Sequence, residues 1–187
     1  MNLRRRDILY YLVIPMLFVA ALVQSTMLVR VEIGNVKPDL VLLIVLVGTL
    51  IFGGQRGVVW AFVGGIALDL LSGGPMGSSS LALIAASLVA SPGHATLSRY
   101  NFVVPLGTAI LGTLAYGLTY VGVLLSLSVL GTFPFVSNLG LEVTQTGLPF
   151  VETMQYVVLP SIAYNTVLML VLTPLMNMVP EAHDVGA

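Results

Sequence analysis

No cysteine occurs among the 187 residues, which excludes disulfides, thiolate metal sites and thiol redox chemistry. Charge is nearly as scarce. Asp, Glu, Lys and Arg make up 8% of the chain, against about 25% in an ordinary soluble domain. Seven basic residues almost balance eight acidic ones, and the one basic cluster, Arg4 to Arg6, is too small to form a nucleic-acid footprint. His94 and His183 lie too far apart in sequence to suggest a zinc motif. No two carboxylates are spaced for acid and base, and there is no Ser-His-Asp arrangement or phosphate-cradling loop. The sequence therefore reads as that of a non-enzyme, with no catalytic, cofactor-binding or metal-binding residues and no nucleic-acid partner.

What is plentiful is apolar sequence: 57% of residues are hydrophobic and mean hydropathy is +1.02. This composition points to an integral membrane protein, all-α, with membrane lipids as its solvent. With about 20 residues per crossing, six transmembrane helices are expected at 8–29, 39–53, 57–72, 78–97, 101–130 and 155–179, in a single membrane domain spanning 1–187. The run Ile8 to Val29 is too long for a secretory signal and lacks a small-residue cleavage site, so it is read as a retained first helix. Gly53 to Gly57 reads as a tight turn, which makes the second and third helices a hairpin whose full crossing stays open. Pro92-Gly93 is expected to interrupt the fourth helix.

Polar groups inside these runs are few. Gly57, Ala61, Gly65 and Asp69 recur every fourth residue and form a drifting stripe of small side chains that lets a neighbouring backbone approach. Asp69 ends the stripe. An Asp at a helix centre costs about 2.5 to 3.5 kcal/mol on insertion scales, so it either accepts hydrogen bonds within the protein or serves a ligand or partner site. Pro38-Asp39 opens the second helix, where a carboxylate complements the helix dipole. Together with Arg30, Glu32 and Lys37 it is also a candidate docking patch. Asn165 lies well inside the last helix, where an amide either bonds across helices or lines a pore. Ala109, Thr113 and Gly117, with Tyr116 and Tyr120 nearby, make a second small stripe. Ser78, Ser79 and Ser80 follow Gly77 at a helix start and are read as ordinary N-cap residues.

An N-terminal arginine cluster, a first helix ending near Gln24, Pro38-Asp39-Leu40, the stripe closing in Asp69-Leu70-Leu71 and a following Gly-Pro turn together resemble the rod-shape-determining MreD family. The resemblance is best over Gln24 to Leu81; Ala61 stands where a glycine is expected. It implies a six-helix protein of the bacterial cytoplasmic membrane, a non-enzymatic scaffold of the cell-elongation complex. Its direct partner would be MreC, with MreB and the RodA/penicillin-binding-protein synthase reached indirectly, and it would help regulate cell shape and peptidoglycan synthesis. The implied fold is similar to that of the substrate-binding subunits of energy-coupling-factor vitamin transporters, which supplies the alternative function. Ala20 and Ala21 are adjacent rather than four apart, which weakens that alternative. On these grounds Pro38, Asp39, Gly57, Ala61, Gly65, Asp69 and Asn165 are the structural or partner-interface candidates.

Orientation follows from Lys and Arg in short loops. Arg4, Arg5, Arg6, Arg56 and Arg99 fall on the side of the N-terminus, against Arg30 and Lys37 on the other. Five against two places both termini in the cytoplasm. A reporter fused after Ala187 is accordingly expected to be active inside the cell, and activity only outside would overturn the topology.

Overall fold

The computed structural model describes residues 2–26, 38–96, 102–131 and 150–176, and all of their regular structure is helical. Helices α1 (Asn2–Thr26), α2 (Leu40–Phe52), α3 (Gly54–Ser72), α4 (Ser78–Thr96) and α5 (Val103–Gly131) follow in order. The sixth, α6, joins a turn of α-helix at Phe150–Thr153, a π-helical segment at Met154–Val158 and an α-helical run at Leu159–Met176. Arg30, Glu32, Lys37, Arg99, Glu142 and the C-terminal tail from 177 onward lie outside the described residues.

α2 is the axis of the bundle. Val41, Leu42, Leu43, Val45, Leu46, Gly48, Thr49 and Leu50 are all buried and Leu40, Ile44, Val47 and Ile51 partly so, so α2 is apolar and largely enclosed rather than buried along one narrow stripe. The other five helices each contact it. Around it, α1 packs on α3, α3 on α4, α4 on α5 and α5 on α6. The outward faces are apolar as well, with Val19, Phe62, Leu88, Leu111, Val167 and Leu170 exposed. Two helices, Val103–Val129 and Phe150–Pro174, are long and apolar enough to cross a membrane. With 13 residues, α2 is only about 20 Å long, which is short of the roughly 30 Å hydrocarbon thickness.

Several boundaries differ from the sequence expectation, each for a local reason. α3 begins at Gly54 rather than 57, because Gly53 alone reverses the chain. Its φ of 91° lies in the region open to glycine, and Gly57 N already bonds to Gly53 O at 3.1 Å. α4 runs through Pro92 to Thr96 instead of breaking there. Its last turn is held by His94 Nδ1, 2.7 Å from Leu50 O, and by Gly93 fitting against Leu50 and Thr108; such neighbours sustain a proline-containing helix in an apolar bundle. α6 starts at Phe150 rather than 155. Its π segment closes with Leu159 N bonding to Met154 O, next to Pro160, which has no N–H to give.

Close approach depends on missing side chains. A Cβ on Gly48 would lie 2.5 Å from the Trp60 ring, and Trp60 itself is fully buried and meets Phe52 edge-on with centroids 5.3 Å apart. A Cβ on Gly57 would collide with the Thr49 and Ser87 hydroxyls, which face one another at 3.1 Å. At Gly65 the obstacle is backbone, since a Cβ would lie 2.5 Å from Ser80 N. Gly65→Ala is therefore expected to force α3 and α4 apart at about 1 to 3 kcal/mol, read as a lower melting temperature in detergent. Gly107→Ala meets nothing within 4 Å and should melt at or above the parent, so equal melting of the two variants would refute this account.

Candidate functional site

The chain reverses at each connection, so the end of α1, the start of α2, the end of α3 and the start of α4 meet at one end of the bundle. The carboxylates Asp39 and Asp69 and the amides Gln24 and Asn165 gather there. Asp39 is the N-cap of α2, its Oδ1 accepting from Leu42 N at 3.0 Å. The same oxygen accepts from Gln24 Nε2 at 3.1 Å. Gln24 Oε1 in turn accepts from Val41 N at 3.2 Å. One amide on α1 thus satisfies two groups at the N-terminus of α2, where four N–H groups lack helical partners. Asn165, fully buried on α6, completes the junction. Its Oδ1 accepts from Asp39 N at 3.2 Å and its Nδ2 donates to Thr113 Oγ1 on α5 at 3.2 Å.

Asp69 makes a second junction between α3 and α4. Its Oδ2 accepts from Gly77 N at 2.7 Å, and its Oδ1 from Ser79 N at 3.0 Å and Ser78 Oγ at 3.3 Å. A carboxylate from a different helix therefore caps α4, in favourable alignment with its dipole. This corrects the reading of Ser78 to Ser80 as caps: Ser78 is the first helical residue, all three serines are buried, and the acceptor is supplied by α3. Gly73, the α3 C-cap, is left-handed with φ 68°, which turns the chain so that Gly77 and Ser79 return to Asp69.

Between the two junctions, Tyr116 and Tyr120 of α5 stack with ring centroids 6.0 Å apart and an interplanar angle of 16°. Tyr116 lies close to Asp39, in the lining of the same cavity. The Tyr120 hydroxyl reaches the α3–α4 turn, 3.7 Å from the position of a Cβ on Gly74. Beside these rings, between α5 and α6, is a cavity of about 420 Å³ lined by Gln24, Asp39, Tyr116, Tyr120, Ser161 and Asn165 among others.

Of the candidate residues, the structure brings Asp39 and Asn165 together at this cavity, with half-buried Pro38 just ahead of the cap. Gly57, Ala61, Gly65 and Asp69 are all buried, and Gly57, Gly65 and Asp69 face α4, so the stripe is a packing surface that ends in a cap rather than in the cavity. Gln24 was a landmark in the sequence and not a candidate. The signal that could have found it is an amide near the end of an otherwise apolar helix, one turn past buried Ala20 and Ala21. A second polar surface lies at the other end of the bundle around Gly53, Arg56 and His94. Among the described residues no group of three His, Asp or Glu could hold a metal ion.

An enclosed central helix, an apolar exterior and helix ends joined by buried amides and carboxylates define a helical bundle built for an apolar solvent. The family model described as rod shape-determining protein MreD matches residues 5–179, and the chain belongs to the MreD family. It is thus a rod-shape-determining membrane protein, of a family that is structural rather than enzymatic. Comparison with curated proteins and with solved structures gave no match.

The two carboxylates are expected to respond differently to the same substitution. Both Asp69 oxygens accept backbone N–H groups, so Asp69→Asn turns its amide nitrogen toward either Gly77 N or Ser79 N, leaving one donor unpaired at about 1 to 3 kcal/mol. Asp39 takes the bonds from Gln24 and Leu42 on one oxygen, Oδ1, and Asn is as good an N-cap as Asp, so Asp39→Asn should melt close to the parent. Melting curves in detergent check the order, and Asp39→Asn as the less stable variant would contradict it.

Proposed function

We propose that the protein is a non-enzymatic membrane scaffold of the bacterial cell-elongation complex, binding MreC directly and helping to regulate cell shape and peptidoglycan synthesis. MreB and the RodA/penicillin-binding-protein synthase are engaged through that contact. The observation that carries the reading is membership of the MreD family over residues 5–179. The apolar outward faces support it, because they offer lipid or a partner's membrane helix a surface with no polar cost.

In this reading the chain crosses the cytoplasmic membrane six times with both termini inside, in a fold akin to the vitamin-transporter subunits. The Asp39 and Asp69 end then faces outward and the Gly53 end inward. The short α2 crosses as a protein-enclosed core whose ends are completed by its neighbours, which non-helical backbone at membrane depth requires. MreC would dock its membrane helix on the apolar faces and its adjoining outer segment near the edge that leads into Pro38 and Asp39.

One observation keeps the solute-binding alternative in view: Tyr116, Tyr120 and Asn165 line a single cavity. Co-purification from detergent distinguishes the two. Retention of MreC at moderate salt is the expected outcome; loss of MreC with retention of a vitamin-transporter energising subunit would establish the alternative instead.

A further inference from the structure

We infer that the cavity beside Tyr116 and Tyr120 binds a small amine, whose ammonium group pairs with Asp39 and lies against the stacked rings while its apolar part faces α5 and α6. This goes beyond the scaffold reading and does not depend on it. At about 420 Å³ the cavity is within the size range of small-molecule sites. Its described lining supplies one carboxylate, Asp39, and no basic side chain, so the chemistry favours a cation over an anion. Asp39 is held in place before any ligand arrives by the Gln24 and Leu42 bonds to Oδ1. Asp69 is not a lining residue, its oxygens being engaged by α4.

The aromatic pair has the matching property. Two nearly parallel rings with centroids 6.0 Å apart border the cavity next to a carboxylate, and an ammonium seated over a ring face gains cation–π attraction. Val121, Leu124, Val157 and Val158 line the rest, so a ligand carrying an apolar body fits better than a bare ion. Asn165 and Thr113 are bonded to each other and fix the wall. The Ser161 hydroxyl donates to Val157 O at 2.7 Å, which leaves its oxygen able to accept from an N–H of the ligand.

The test uses the full-length protein purified in mild detergent. Mass spectrometry of its organic extract is expected to show an amine in near-stoichiometric amount; its mass separates an amine-headgroup lipid from a free amine, and either supports the assignment. In amine-free protein, calorimetric titration with benzylamine, an ammonium ion at neutral pH, is expected to saturate and to be about tenfold tighter than with benzyl alcohol, with no binding of benzoate. Asp39→Asn, which keeps the cap, and Tyr120→Leu should each weaken the cation about tenfold. Equal binding of cation and alcohol, a preference for benzoate, or an Asp39→Asn variant that melts normally and binds the cation unchanged would overturn the proposal. MreC retention by the same Asp39→Asn protein is measured separately, so failure of the amine site and failure of the scaffold reading give different results.

Discussion

A helix too short to reach across a bilayer and largely enclosed by its neighbours must have its end groups completed by other helices, and most of the polar structure follows from that constraint. α2 is largely covered by its neighbours, so N–H groups at its start and carbonyls at its finish would otherwise be buried without partners. Asp39, Gln24 and Asn165 meet the first requirement. His94 meets part of the second through Leu50 O. The ties from Gln24, Asn165 and His94 each join α2 to a different neighbour, which fixes not only the ends of one helix but the positions of α1, α6 and α4 around it.

The same logic recurs at α4, whose first turn is completed by a carboxylate carried on α3. Between apolar helices there is little hydrophobic drive to associate when the surroundings are apolar too, so packing and interhelical hydrogen bonds must do the holding. Gly57 and Gly65 bring α3 against α4 closely enough for Asp69 to reach Gly77 and Ser79. The small stripe and the cap are thus one device: without the glycines, the carboxylate would stand too far from the N–H groups it completes.

Bringing the two carboxylates to one end has a consequence for the space between them. Both are consumed by structure, but unequally, since Asp69 uses both oxygens and Asp39 only Oδ1 in the bonds to Gln24 and Leu42. The cavity opens on the side of Asp39. A polar site can therefore sit in this bundle without a polar group being spent on it alone, because the residues that cap α2 are also those that line the pocket.

The apolar runs, the helical class, the small-residue stripe and the position of Asp39 at a helix start were legible in the sequence, because hydropathy, four-residue spacing and capping are properties of contiguous chain. The sequence also carried the family resemblance in Pro38-Asp39-Leu40 and the stripe closing at Asp69. It did not show that Asp69 caps α4, that Gln24 serves two groups of α2, or that Tyr116 and Tyr120 share a cavity with Asp39 and Asn165. Those pairings join residues from 8 to 126 positions apart, and only the packing order of the helices around α2 decides which of them meet. Local rules failed in the same places. Pro92 did not break α4 and serine did not cap it, because contacts from other helices outweighed the preferences of the segment itself.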